Sequence, residues 1–186
     1  GKSLGVVFQS PSLDPHLTVF ENIRHHAMLY GKKLRREDLQ GDLIAALELG
    51  DNLDRRVSEL SGGFQRRVEL TKALLTDPEV LILDEPFTGL DLQSRETFFR
   101  ILRDVSKERK LVTLLITHVL STATQCEHVV VMEDGVVIAN QSPALLLADF
   151  GSNVVEITGE GCMDIAARLE ALAGIDFVRL QDESVL

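Results

Sequence analysis

Apolar residues run together in some stretches of this chain and recur every three or four positions in others. Leu4-Gly5-Val6-Val7-Phe8 is a short apolar run that predicts a buried strand leading to Gln9. Two prolines in Ser10-Pro11-Ser12-Leu13-Asp14-Pro15 exclude a regular ladder or helix there. From Thr18 the spacing turns helical, with Phe20, Ile23, Ala27 and Tyr30 about one turn apart and Gly31 as the stop. Arg35 to Leu49 repeats the pattern through Leu39, Leu43 and Leu47, with Gly50 expected to close it. A third helix is expected from near Ser61 to just before Asp77-Pro78.

Beyond Pro78 the period changes. Val80-Leu81-Ile82-Leu83 is continuously apolar, which predicts a strand covered on both faces. Leu92 to Arg109 is helical, with Phe98, Ile101, Leu102 and Val105 on one stripe, and Leu111 to Thr117 is a second apolar strand that stops at His118. Strand, helix, strand is a βαβ unit, so these strands should be parallel with a right-handed crossover. His128 to Met132 and Val136 to Ala139 flank Glu133-Asp134-Gly135, a hairpin signal, and Ser142 to Asp149 reads as a short helix. Composition shifts at Gly151. Val154 to Ile157, Met163 to Leu172 (striped by Ile165, Leu169 and Leu172) and Val178 to Leu180 read as a small βαβ appendage. The expected organisation is an α/β domain over residues 1–150, its helical part at about 16–76, and the appendage over 151–186. No internal repeat or low-complexity segment interrupts it.

Composition narrows the function classes. The chain has 186 residues, 45% hydrophobic and 26% charged, the mix of a globular protein. No apolar run approaches the roughly 20 residues of a membrane span, and no basic-then-apolar leader opens it. Lys+Arg is 19 against Asp+Glu 29, a net charge of −10 that argues against a nucleic-acid footprint. Cys126 and Cys162 form no CxxC pair and fit inert burial in a reducing compartment. A cytoplasmic chain is expected.

The candidate chemistry sits at strand and helix ends. Asp84 and Glu85 close the strand Leu81-Ile82-Leu83, where open α/β sheets keep their ligand crevice. There one carboxylate, Asp84, can hold the water shell of Mg²⁺, and its neighbour, Glu85, can position an attacking water. Without further context the same pair is two acids exposed in a turn before Pro86. Leu60-Ser61-Gly62-Gly63-Phe64 opens a helix whose N–H groups can face an anion, with glycine letting a phosphate approach the backbone. A plain serine cap is the competing reading. His118 and Gln9 each end an apolar strand, and each alone is more often structural. His25 and His26 are adjacent on a helix, point apart, and read as solvated or half-buried.

Taken in order, Gln9, the Ser61-Gly62-Gly63 helix start, Asp84-Glu85, Gly89-Leu90-Asp91 and His118 resemble the ATPase subunit of ABC transporters. The likeness runs from Leu4 to about Ala148 and is densest over Leu60 to Asp91, LSGGFQRRVELTKALLTDPEVLILDEPFTGLD. It implies a partial P-loop NTPase fold with a parallel sheet core and a helical subdomain. It implies that Gln9 is the Q-loop glutamine, Leu60 to Phe64 the signature motif, and Asp84-Glu85 the end of Walker B. Asp91 then belongs to the D-loop, and His118 is the switch histidine. ATP and Mg²⁺ are the implied ligands. Gln9, Ser61, Gly62, Gly63 and Asp91 would bind nucleotide, Asp84 and Gln9 the metal, while Glu85 and His118 serve catalysis and Asp91 also reports closure. The family usually has a polar residue, often glutamine, where Phe64 stands.

Gly1-Lys2-Ser3 looks like the tail of a P-loop, GxxxxGK[ST], but Leu4 already begins the strand leading to Gln9. A P-loop needs a helix and a crossover of a dozen or more residues before the next parallel strand. Extended chain would put Lys2 about 23 Å from Gln9, at ~3.3 Å per residue. The stretch is therefore expected to be the start of the strand, with a P-loop joined through an internal deletion as the other reading. On either reading the family's first strand, its P-loop helix and its adenine-stacking aromatic residue are missing. The chain is expected to be a piece of a longer ATPase that does not bind ATP by itself.

The resemblance implies a transporter motor, peripheral on the inner face of the cell membrane, that pairs with a second ATP-binding subunit and a membrane permease and contacts no nucleic acid. The region after Gly151 looks like the tail of ABC-2-type exporter ATPases, which suggests export. A soluble ABC-type ATPase of translation or DNA repair, and a catalytically incompetent binding piece, stand as alternatives. The interval from Gln9 to Leu60 lacks the long heptads of the DNA-repair class.

Overall fold

The computed structural model describes residues 4–39 and 42–151. Gly1-Lys2-Ser3, the expected remoteness of Lys2 from Asp84 and Glu85, and the appendage expected beyond Gly151 lie outside the described residues. The chain divides into two units between Thr122 and Ala123.

In the first unit, β1 (Leu4–Val7), β2 (Val80–Asp84) and β3 (Val112–Ile116) form a parallel sheet in the order β1-β2-β3. Leu4 pairs with Val80 and Val80 with Val112, so Gly5, Leu81 and Thr113 share one face and Leu4, Val80 and Val112 the other. Two helices cover the first of these faces. Helix α3 (Gly62–Leu74) approaches β1 so closely that a Cβ on Gly5 would stand 2.9 Å from the Ala73 carbonyl oxygen. Helix α4 (Leu92–Arg109) reaches β3, where the Ser106 and Thr113 hydroxyls are 2.9 Å apart. Val7, Leu81 and Leu83 are sealed beneath them with Val68, Leu70, Phe98 and Ile101.

The opposite face corrects an expectation. The run Val80-Leu81-Ile82-Leu83 predicted a strand covered on both faces, yet Val80 and Ile82 are only half-buried on the second face, and beside them Leu4, Val112, Leu114 and Ile116 are exposed, as is Phe8 just beyond β1. An apolar run marks a strand able to be buried twice, and only packing decides whether it is. The two faces should therefore answer differently to substitution. Leu83→Ala, at a site with no exposure, is expected to cost about 3 kcal/mol of unfolding free energy. Leu114→Lys, at a residue 53% exposed, should cost less than about 1 kcal/mol in the same denaturant titration.

Helix α1 (Val19–Leu29) starts where sequence places it, because Thr18 and Glu21 form a reciprocal capping box. Glu21 N–H donates to Thr18 Oγ1 at 3.2 Å and Thr18 N–H to Glu21 Oε2 at 2.8 Å. Gly31, at φ +70°, ends it as expected. The helix expected over 35–49 is instead a single 3₁₀ turn, Arg36–Leu39, and a short helix α2 (Asp42–Ala46), with residues 40–41 outside the described set. Its end falls before Gly50: Glu48 takes the left-handed conformation at φ +54°. The N–H groups of Glu48 and Leu49 then close on the Ala45 and Ile44 carbonyls, and Leu49 is buried behind them. Glu48, backed by the buried Leu49, thus takes the closing position that sequence assigned to a glycine.

Helix α5 (Leu120–Ala123) spans the division between the units. In the second unit, β4 (Val129–Glu133) and β5 (Val136–Gln141) form an antiparallel hairpin. Its turn residues Asp134 and Gly135 both have positive φ, +48° and +79°, as a two-residue type I′ turn requires. Helix α6 (Pro143–Gly151) follows.

Candidate functional site

Asp84 is the last residue of β2 and pairs with Ile116, the last residue of β3. The parallel register therefore delivers Glu85 and His118 to the same end of two neighbouring strands. Glu85 leaves the strand in the left-handed region at φ +44°, held there by its N–H donating to the Ile116 carbonyl at 2.9 Å. A non-glycine residue in that conformation costs about 1–3 kcal/mol and persists only where its surroundings over-determine it. Here they do. The Glu85 carboxylate accepts from the His118 backbone N–H at 2.9 Å and meets its ring Nδ1 at 2.7 Å, and Thr117 Oγ1 lies 3.4 Å from the other oxygen. A ring proton on Nδ1 completes this contact as a hydrogen bond to the carboxylate. The glutamate side chain is 15% exposed and the histidine 78%, so the carboxylate is sheltered while the imidazole reaches into solvent.

The turn after Glu85 folds back on itself. Thr88 N–H donates to the Glu85 carbonyl and Leu90 N–H to that of Phe87, with Gly89 at φ +76° between them. Asp91 then caps α4, its carboxylate accepting from the Ser94 N–H and hydroxyl, both at 2.8 Å. The Ser94 N–H bond, then the hydroxyl, hold this carboxyl below its ordinary range. A lowered folded-state value means the cap is complete above the ordinary aspartate pKa and is lost as pH falls through the lower one. Sequence assigned Asp91 to closure and missed this local use.

Ser61 caps α3 by accepting from the Phe64 N–H at 3.4 Å. Gly62 is exposed beside Gly89 and Leu90, whereas Gly63 is buried, and a Cβ on it would stand 2.9 Å from both the Cβ and Oγ of Ser94. The glycine requirement at 63 is thus also a packing requirement between α3 and α4, which a reading based on phosphate approach alone omits. Phe64, the departure from the family's polar residue, stacks under the Arg67 guanidinium at 3.8 Å from ring centroid to Cζ. Gln9, Pro11, Gly62, Arg66 and Gly89 line one cleft of ≈ 440 Å³. The structure therefore gathers the sequence candidates into two groups: Asp84, Glu85 and His118 at the strand ends, and Gln9, Gly62 and the Gly89 turn around the cleft.

Sequence reasoning overlooked Thr117, Ser12 and the buried charges of α3, Arg66, Glu69 and Lys72. The signal was available: charges three residues apart on a helix share a face, and here that face is turned inward. The reading of His25 and His26 holds, with His25 exposed and His26 half-buried against Tyr30 at 5.1 Å between ring centroids. Burial, then the Lys72 cation, lowers the His26 pKa. Cys126 is half-buried, and burial pushes its thiol up, away from reactivity.

The donor set suits a nucleotide with Mg²⁺. Among the described residues no three His, Cys, Asp or Glu side chains converge on one point, so a metal cage made of protein ligands alone is not built there. Mg²⁺ typically takes only one or two carboxylates and completes its shell with water and phosphate oxygens, which Asp84 at a strand end can serve. No helix among the described residues is long and apolar enough to cross a membrane.

Residues 1–88 match the family described as ABC transporter. The chain is 38% identical over 173 residues to a Nod factor export ATP-binding protein I of Burkholderia orbicola, covering 91% of this chain and 57% of the relative. The same protein of Paraburkholderia xenovorans is 40% identical over 159 residues, covering 84% and 52%. The chain spans about half the length of the curated relatives it matches. Among solved structures, cbiO1 of Clostridium perfringens, part of the ABC transporter complex cbiONQ, superposes with a TM-score of 0.71 at 26% identity, over 82% of this chain and 62% of that one.

Proposed function

The chain belongs to the ABC transporter family of ATP-binding proteins, and from that premise we propose that it serves a transport ATPase that hydrolyses ATP to drive a separate membrane permease. Its sheet and helices form part of the P-loop NTPase fold. The observation that carries the reading is the contact of Glu85 with His118 across the ends of β2 and β3. A sheltered carboxylate held rigidly beside an outward imidazole can orient a water and accept its proton, while the imidazole faces the charge that develops on the transferred phosphoryl group. Asp84 would hold Mg²⁺ through its water shell together with Gln9, and the metal when bound would neutralise phosphate charge. The exposed helix start at Ser61 and Gly62 would bind phosphate through backbone N–H groups, on the nucleotide of a second ATP-binding subunit. The Nod factor relatives favour export over import. Pairing with a permease would make it a peripheral subunit on the inner face of the membrane.

The test is phosphate release from ATP by the longer ATPase of which this chain is expected to be a piece, assembled with its permease in liposomes. Hydrolysis should depend on Mg²⁺, disappear on chelation with EDTA and return when Mg²⁺ is restored. Hydrolysis indifferent to EDTA, or none at millimolar ATP, would remove the proposal.

A further inference from the structure

Six polar or charged side chains are buried among the described residues, and four of them, Asn22, Arg66, Glu69 and Lys72, hold one stretch of backbone, Phe8 to Asp14. The Arg66 guanidinium donates Nη1–H to the Phe8 carbonyl at 2.7 Å and Nη2–H to the Gln9 carbonyl. Glu69 Oε1 accepts the Ser12 N–H at 2.8 Å. Lys72 Nζ donates to the Ser12 carbonyl at 3.0 Å, to the Ser12 hydroxyl at 2.8 Å and to Glu69 Oε1 at 3.3 Å. From α1, Asn22 Oδ1 accepts the Asp14 N–H at 2.8 Å, and Nδ2 donates to the Asp14 carbonyl at 3.0 Å. Arg66, Glu69 and Lys72 are only 4–5% exposed.

This is an unusual place to spend buried charge. The loop has two prolines, no ladder, and an exposed outer surface from Phe8 to Ser12. By composition it would be a mobile connection. Instead its carbonyls and one of its amides are gripped from beneath by three charges spaced at 66, 69 and 72 along one side of α3. If the loop departs, Arg66 loses both of its carbonyl acceptors and the buried Glu69–Lys72 pair loses the Ser12 contacts that complete its hydrogen bonding, and a buried ion left short of partners is strongly destabilising. The arrangement therefore opposes independent motion of the loop.

We propose that Arg66, Glu69 and Lys72 are positioning residues that clamp the Gln9 loop onto α3, so that Gln9 and the Ser61-Gly62-Gly63 helix start move together. What this does for catalysis rests on the function proposed above. If the α3 start engages the nucleotide of a second subunit, the clamp carries that engagement to this chain's own Gln9. The two sites then exchange information through a rigid connection rather than a flexible loop.

Amide hydrogen exchange, read residue by residue on the full 186-residue chain, tests the clamp. In the wild type the Ser12 and Asp14 amides should exchange at least about 100-fold more slowly than unstructured backbone. Glu69→Ala should speed Ser12 by about tenfold or more while amides in α3 and β2 change far less. Glu69→Gln retains an acceptor oxygen, and Arg66→Lys retains one of two carbonyl contacts, so both should restore part of the protection. A Ser12 amide that exchanges at the unstructured rate in the wild type overturns the proposal. So does a uniform acceleration of loop and α3 in the variants, the mark of general destabilisation. Should Glu69→Ala fail to fold, the wild-type rates and Arg66→Lys decide the matter. The measurement needs no nucleotide, so its failure is distinct from a failure of ATP hydrolysis.

Discussion

In the longer ATPase of which this chain is expected to be a piece, Glu85→Gln should leave nucleotide binding within about twofold of wild type and lower the turnover of ATP by a factor of ~10²–10⁴, the usual contribution of a positioned general base. The substitution isolates basicity from geometry. A carboxamide has nearly the volume of the carboxylate, and its oxygen can still accept the His118 N–H that the Glu85 Oε1 now accepts at 2.9 Å. The backbone bond from the Glu85 N–H to Ile116 is untouched, so the left-handed turn at φ +44° is retained. What disappears is a group able to take a proton from water. Steady-state phosphate release and equilibrium nucleotide binding, measured on the same preparation with its transporter partners, separate these effects. A loss confined to turnover assigns the base role to Glu85, because a transition-state interaction alone has been removed. Turnover like that of the wild type would transfer the role elsewhere, with His118 then the group to test.

Legibility in the sequence follows how local the determining physics is. Helix α4 appears at Leu92–Arg109 as expected because its cap, apolar stripe and end are all written locally, between Asp91 and Lys110. The hairpin turn at Asp134-Gly135 is equally local. By contrast, the segment 35–49 carries a helical pattern but ends on Glu48, where closure depends on burying Leu49 against other elements. The open sheet face was illegible for the same reason: Leu114 reads the same in sequence whether or not a helix lies on it. At the site, the residue types of Asp84, Glu85 and His118 were readable, and so was their placement at strand ends. Their contact was not, because it depends on the register of β2 against β3. The α3 charges were visible as letters, but only the fold turns Arg66, Glu69 and Lys72 towards a loop nearly sixty residues earlier in the chain.

Phe98→Ala should produce the largest loss of stability, about 3–5 kcal/mol, with a fall of roughly 10 °C or more in the thermal midpoint. Phe98 is buried at the centre of α4's apolar stripe, and its ring meets Phe87 edge-on at 5.7 Å and 89°. Phe87 in turn lies flat against Phe99 at 4.7 Å and 13°. Offset and edge-on aromatic pairs each add about 0.5–1.5 kcal/mol beyond the area they bury, and the truncation forfeits one such pair as well as the buried ring. The loss reaches the site because Phe87 is two residues beyond Glu85. With Phe98 shortened, the Phe87 ring can drop into the vacated space and draw the Glu85-Pro86-Phe87-Thr88 turn after it. Two readouts on one variant therefore follow: a lower unfolding midpoint in denaturant at unchanged slope, and faster exchange of the Thr88 and Leu90 amides that now bond the Glu85 and Phe87 carbonyls. Phe98→Leu, which keeps most of the volume, should recover most of both. A loss below about 1 kcal/mol in Phe98→Ala would mean that this aromatic trio does not anchor the turn. The left-handed geometry of Glu85 would then have to be maintained by its contacts with Ile116 and His118 alone.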